Sequence, residues 1–255
     1  MQRIFLIVLC LITITLSAQN NAIAPGEKLT YTASYNMSGI LTDIAQVTME
    51  ASAVKTSKTT LLKLQCKATS YSKWDNFFKI RDLYESYVSP KSLTPYLYNR
   101  DINEGGYYKN MKYTFSHKTN TVKSVQKKKP NKVENKTVSI NTGTKDIVST
   151  LYSIRLYDYA SMTIGARKSL PIIFDREEVK GQITYLGKET ISTAIGKKEC
   201  YKLAIGSSQA GVLQGKNSNF LWLTADENKI PVYGKFKIPV GNGELKIKSA
   251  TGLKN

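Results

Sequence analysis

The chain is poor in the residues from which most catalytic and metal sites are built. One histidine, His117, stands in 255 residues. A zinc centre needing two imidazoles has nothing to draw on, and a Ser-His-Asp triad would depend on that one side chain. Three cysteines, Cys10, Cys66 and Cys200, exclude a disulfide-dense scaffold and a four-thiolate metal site. Arginine is scarce as well, at 6 Arg against 31 Lys. The formal charge of +18 is therefore carried by point charges rather than by the planar forks that read phosphate, which argues against a nucleic-acid partner. The longest apolar run, Ile4 to Leu16, is too short for a comfortable transmembrane helix.

That run follows Arg3 and precedes Ser17 and Ala18, the order of a secretory signal peptide. The sequence predicts a leader over residues 1–18 and one β-rich domain over 19–255, exported to the periplasm or cell envelope and not membrane-spanning once the leader is cleaved. Cys10 follows Leu9 inside the apolar run, so it reads as part of the leader and not as a lipid anchor. Cleavage removes only Arg3 among the charges and leaves +17. The lysines are scattered; the densest group, Lys127 to Lys129 before Pro130, reads as a loop tip on a solvated surface, with attraction to anionic lipid or glycan as the lesser reading. Strand phase places Cys66 inward with Leu62, Leu64 and Ala68. Cys200 alternates with Lys198 and Lys202 and points outward, which argues against a disulfide.

What the chain has in abundance is alternation of period two. Leu29, Tyr31, Ala33 and Tyr35 share one face against Thr30, Thr32, Ser34 and Asn36, and Ala45, Val47, Met49, Ala51 and Ala53 repeat the pattern after a loop with Gly39 available for positive φ. Further strands are predicted near 59–70, 79–88, 93–101, 107–116 and 121–126. The second half adds 168–174, 179–187, 189–195, 199–206, 219–225, 230–240 and 243–251. Short connections make antiparallel pairing the simplest topology. One segment departs from this: Ile147, Leu151 and Ile154 recur at helical spacing after a capping Asp146, predicting one amphipathic helix near 146–158, packed against or inside the sheet.

Each candidate site reads more simply as structure. His117 lies in a loop without an orienting partner in sequence. Asp175, Glu177 and Glu178 flank Arg176 between two strands, and Asp82 and Glu85 share a strand with Arg81. Both sets resemble hairpin tips or cross-strand ion pairs more than a glycosidase dyad. Asp226, Glu227 and Asn228 lie in a hairpin turn between Leu221–Leu223 and Ile230–Ile238, with too few oxygens at spaced positions for calcium. The 16 tyrosines, among them Tyr84, Tyr87, Tyr96, Tyr98, Tyr107, Tyr108 and Tyr113, suit cross-strand packing first and a concave ligand surface second.

Four stretches, PGEKLTYTASY, DIVSTLYSIRLYDY, TISTAIGKKECYKL and LWLTADENKIPVYGKFKIPVGNGEL, occur in the order of an uncharacterised group of exported bacterial proteins, the domain of unknown function 3108 family, which the chain resembles over nearly all its mature length. The resemblance implies a periplasmic, β-rich fold and carries no known catalytic residues. A looser, architectural likeness is to the periplasmic lipoprotein carriers, which shelter acyl chains.

These readings converge on a mainly β protein: antiparallel curved sheet or sheets forming an incomplete barrel or clasp, with the helix near 146–158. The expected function is non-enzymatic binding of an apolar or amphipathic, lipid-like ligand. The alternatives are a structural or adaptor role contacting envelope glycan or partner proteins, and an envelope glycan hydrolase built on a converging acid pair. No catalytic, metal or cofactor residue is assigned, and no cofactor is expected.

Overall fold

The computed structural model describes residues 19–37, 39–128, 132–207, 218–238 and 241–255, with the backbone alone at Met37 and Ile238. The expected leader and the Lys129–Pro130 part of the basic loop tip lie outside the described residues.

Among the described residues, fourteen strands form one antiparallel sheet. The first eight are β1 (Lys28–Met37), β2 (Ile40–Lys55), β3 (Thr60–Ser70), β4 (Arg81–Val88), β5 (Pro95–Glu104), β6 (Tyr107–Ser116), β7 (Thr121–Lys128) and β8 (Lys132–Ser139). After the helix α1 (Ile147–Ser153) come β9 (Arg167–Phe174), β10 (Glu177–Thr193), β11 (Gly196–Ser207), β12 (Phe220–Thr224), β13 (Pro231–Ile238) and β14 (Gly241–Thr251). Each half is a meander, and the halves join where β1 pairs with β14, so β8 and β9 are the two outer edges. Between those edges the sheet is not closed. A single parallel bridge, Lys145 to Ile172, links the chain before α1 to β9.

The alternating apolar sets fix the register. Tyr31 faces Val47, Leu29 faces Met49, and Met49 and Ala51 face Cys66 and Leu64 on the next strand, so one face of the sheet is apolar across several strands. Gly39 takes the expected positive φ, 89°. The predicted strand count is right through two compensating errors. Strand β8 was not expected, because its residues are mostly exposed and its two valines, Val133 and Val138, lie out of phase with one another. The expected strands 179–187 and 189–195 are one, β10, which bulges at Gly187 (φ 108°) without ending. Strand β2 also begins at Ile40, inside the expected loop.

The helix is shorter than predicted: seven residues, then a single tight turn over Ile154–Leu156. Asp146 caps it, accepting a hydrogen bond from the Ser149 amide at 2.9 Å and another from Ser86 Oγ on β4 at 2.6 Å. It sits inside the curl of the sheet, touching β3, β4 and β9.

Because neighbouring strands run antiparallel, their connections alternate between two rims. One rim holds the described connections 71–80, 105–106 and 175–176, together with Gly39; the other holds 56–59, 89–94, 117–120, 194–195 and 225–230. The second rim is crossed by the segment before β1. Asn20 bonds the carbonyls of Lys91 (2.7 Å) and Pro90 (3.0 Å), and the Gly26 amide bonds Ala51 (2.8 Å). Behind this strap lies a fully buried ion pair: Arg155 donates to both Glu27 oxygens at 2.6 and 2.7 Å, to Ala22 O at 3.2 Å and to Asn228 O at 3.0 Å. Asn228 in turn bonds the backbone of Asn255. Four separate stretches of chain are thereby tied at one end of the molecule.

Candidate ligand-binding site

The inner faces of the two halves are filled differently. Under the first half, Leu29, Tyr31, Leu64, Tyr98, Met111 and Tyr113 are almost completely buried and pack with Val148 and Tyr152 of α1. Under the second half lies a cavity of about 450 Å³. Its floor is the other side of the helix, where Ile147, Leu151 and Ile154 follow one another at the helical spacing read from the sequence. Its wall is aliphatic, with Leu170 and Ile172 of β9, Ile183 of β10, Ile205 of β11 and Leu221 of β12, completed by Phe174 and Phe236. Polar lining is confined to Thr150, Gln182, Ser207 and Lys237.

Two glycines shape that wall. A Cβ at Gly181 would lie 2.6 Å from Ile172 Cδ1, and one at Gly234 would lie 2.7 Å from the Phe236 ring. Each glycine therefore lets a neighbouring side chain fold flat over the strand instead of standing into the space. A cavity of this volume, apolar with a few polar atoms, has the dimensions and chemistry of small-molecule sites in general. The tyrosines follow the packing reading put first for them: Tyr98 and Tyr113 lie in the packed half with ring centres 5.3 Å apart. Their size fills that half, and the hollow half is lined by branched aliphatics, a signal that strand alternation does not distinguish from ordinary core.

The acidic sets are dispersed by the fold. Asp175 and Arg176 form a two-residue hairpin turn with positive φ at both positions, 45° and 70°. The tip reaches across to the first half of the sheet. Asp175 accepts from Lys109 Nζ at 2.8 Å and Arg100 Nη1 at 2.9 Å, both cations nearly fully buried; the Arg176 amide donates to Tyr113 OH at 2.9 Å, and its guanidinium pairs with Glu134 of β8 at 2.5 Å. Glu178 accepts from the Asn141 amide at 2.8 Å and from Thr144 Oγ1, whereas Glu177 is exposed. This set is a clasp joining the two edges of the sheet. Burial holds Lys109 below the usual lysine range, against the pull of Asp175.

Glu85 points outward to Lys63 at 2.6 Å. Asp82 does meet a second carboxyl, that of Glu104 on β5: burial, and then the neighbouring Asp82 carboxyl, push Glu104 up to about 7. Direct contact leaves no room for the sugar and water that separate glycosidase carboxyls by ~5 Å or more, and Asp82 is further occupied by the Asn103 amide at 3.0 Å. His117 lies at the opposite rim, its ring bonded to Pro95 O at 2.6 Å and stacked on Phe115. Asp226 accepts from Thr224 Oγ1 and the Lys229 amide, the bonding of a turn, as expected. No group of three or more metal-ligating acids, histidines and cysteines occurs among the described residues.

Both cysteines are free. Burial pushes the Cys66 thiol up to about 12 and that of Cys200 to about 11. Cys200 does share the outward strand phase of Lys202, but it is fully buried, because Trp222, Tyr233 and Ile191 belong with it to one apolar cluster. The convergence of Glu27 with Arg155 and of Asp82 with Glu104 left no mark in sequence, since each pair is built by topology over long separations.

The family described as "Protein of unknown function (DUF3108)" matches residues 30–248, and the chain belongs to it. No protein among the curated ones matches. Of solved structures, a β-barrel-like protein of domain of unknown function DUF1849 from Brucella abortus is similar with a TM-score of 0.57 at 8% identity, covering 88% of this chain and 96% of that one, a likeness of fold alone. A putative exported protein with YmcC-like fold from Bacteroides fragilis aligns at 8% identity over 89% of this chain and 96% of that one, with a TM-score of 0.31.

Proposed function

We propose that this member of the DUF3108 family is an exported, non-enzymatic binder of an apolar or amphipathic ligand of the cell envelope, taken up in the cavity beside α1. The observation that carries the reading is the contrast inside one continuous sheet. Under the first half tyrosines and leucines pack directly against α1, whereas beside α1 under the second half about 450 Å³ of aliphatic-lined space remains, next to a separate buried cluster of Tyr159, Tyr185, Tyr201 and Leu203. An apolar ligand seated against this wall would take it out of water and favour the folded state. The apolar run and small residues at 1–18 support export. The outward face, with ladders such as Lys63, Gln65 and Glu85, suits water better than acyl chains.

The test uses protein stripped of lipid by refolding or organic extraction and titrated with the fluorescent apolar probe N-phenyl-1-naphthylamine. Saturable binding is expected for the wild type, and binding reduced by about tenfold or more for Leu151→Trp, whose ring fills the space. Absence of binding by folded wild-type protein, or equal binding by both, contradicts the proposal.

A further inference from the structure

The rim opposite the N-terminal strap carries a cluster of exposed apolar side chains. Three neighbouring connections contribute. After Gly39, Ile40 is 71% exposed and Leu41 40%; in the 71–80 connection Phe77 is 76% exposed and Phe78 46%; and Tyr107 beyond the 105–106 turn is 51% exposed. These residues are held in place. The Trp74 indole donates to Asp43 O at 2.8 Å, its ring meets Phe77 edge-on at 6.5 Å, and the Phe78 ring lies over Gly105, where a Cβ would come within 2.7 Å of it. Scattered surface apolar groups are ordinary, but a cluster of rings and aliphatics on adjoining turns marks a contact surface.

Charge on the same rim has a cationic excess, with Asp43 and Glu177 among its exposed carboxylates. Lys73 and Lys79 flank the aromatics, and Lys127 and Lys128 stand exposed at the end of β7 on this side of the sheet. Two of the nearby acids are neutralised by cations, Asp75 by Arg81 at 2.5 Å and Glu134 by Arg176 and Lys132, while Asp43 accepts from the Ser34 hydroxyl. Lys73 also lies 5.7 Å over the Trp74 ring. Aromatic rings between apolar tips and flanking lysines form the arrangement suited to the boundary between acyl chains and anionic headgroups.

From this geometry we infer that the rim bearing Ile40, Trp74, Phe77 and Phe78, with Lys73 and Lys79, is a docking face for an anionic lipid bilayer surface. Phe77 and Ile40 enter the boundary region, and the lysines supply the attraction that brings them there. The inference does not depend on the cavity reading, although Ser207 and Lys237, which line the cavity, lie near the strand ends at this same rim.

Flotation of the mature chain with vesicles tests it. Wild-type protein is expected to float with mixed phosphatidylcholine and phosphatidylglycerol vesicles and far less with phosphatidylcholine alone. Lys73→Glu and Lys79→Glu should each weaken binding by about fivefold or more, lost at high salt. Ile40→Ser with Phe77→Ser should weaken it by about tenfold, while Ile164→Ser, at a site 74% exposed away from this rim, should leave it unchanged. Acyl chains brominated near the headgroup should quench Trp74 and spare the buried Trp222. Wild-type protein that fails to float, or an Ile164→Ser variant that weakens as much as the Ile40/Phe77 pair, overturns the inference. Leu151→Trp should float normally, so a failure of docking and a failure of cavity binding are told apart.

Discussion

The two halves of the sheet obey the same alternation and reach different interiors. In the first, residues such as Leu64, Tyr98 and Tyr113 fill the space between the strands and α1, leaving each at most 2% exposed. In the second, the helix meets β9, Ile172 and Phe236 fold over glycines, and a cavity remains. A period-two pattern thus specifies which side chains face inward and not whether their volumes suffice to meet. Side-chain size and the seat of the helix decide that.

The sharpest way to break this comparison is to attack the network that closes the packed end. Glu27→Gln strips the charge that matches Arg155, a group with no exposure to water, and should cost about 3–5 kcal/mol of unfolding free energy in urea denaturation. A loss below about 1 kcal/mol would mean that the strap contributes little to the fold. Next comes a direct contrast between halves. Leu64→Ala in the packed interior should cost about 3 kcal/mol, whereas Leu151→Ala, which only enlarges an existing space, should cost about 1 kcal/mol. Equal losses would indicate that both interiors are equally packed in solution.

The clasp comes third. Asp175→Ala leaves Arg100 and Lys109 buried without their shared carboxylate and should cost about 2 kcal/mol, moderated because Asp175 itself is partly exposed. It should also raise amide exchange along β9 more than along β5 if the second half depends on the clasp.

The smallest effect is a pH dependence. Glu104 has its folded pKa raised from 4.5 to about 7, so the folded state binds the extra proton, and the stabilising contribution of the Asp82–Glu104 contact is complete below about pH 4.5. It declines as pH rises towards 7. Glu104→Gln should flatten that part of the stability-against-pH curve; an unchanged slope would show that the pair does not share a proton.

Much of this architecture was legible from the chain. Leu29 through Tyr35 and Ala45 through Ala53 announce inward faces, and Ile147, Leu151 and Ile154 mark the helical stripe that became the cavity floor. Strand β8 was illegible because an exposed edge strand has no apolar face to alternate, and Lys, Glu and Asn suit an edge that must not pair further. The split of β10 was misread at Gly187, since a bulge and a turn share the same residue preference. The cavity itself leaves no local signature: Leu170, Ile183 and Leu221 would look the same in a filled core.

The most direct test of the account is native mass spectrometry of residues 19–255 purified without detergent. The account predicts a population carrying an additional apolar mass that collisional activation releases, absent from Leu151→Trp prepared in the same way. Wild-type protein that carries no such mass, and acquires none when incubated with an envelope lipid extract, would contradict it.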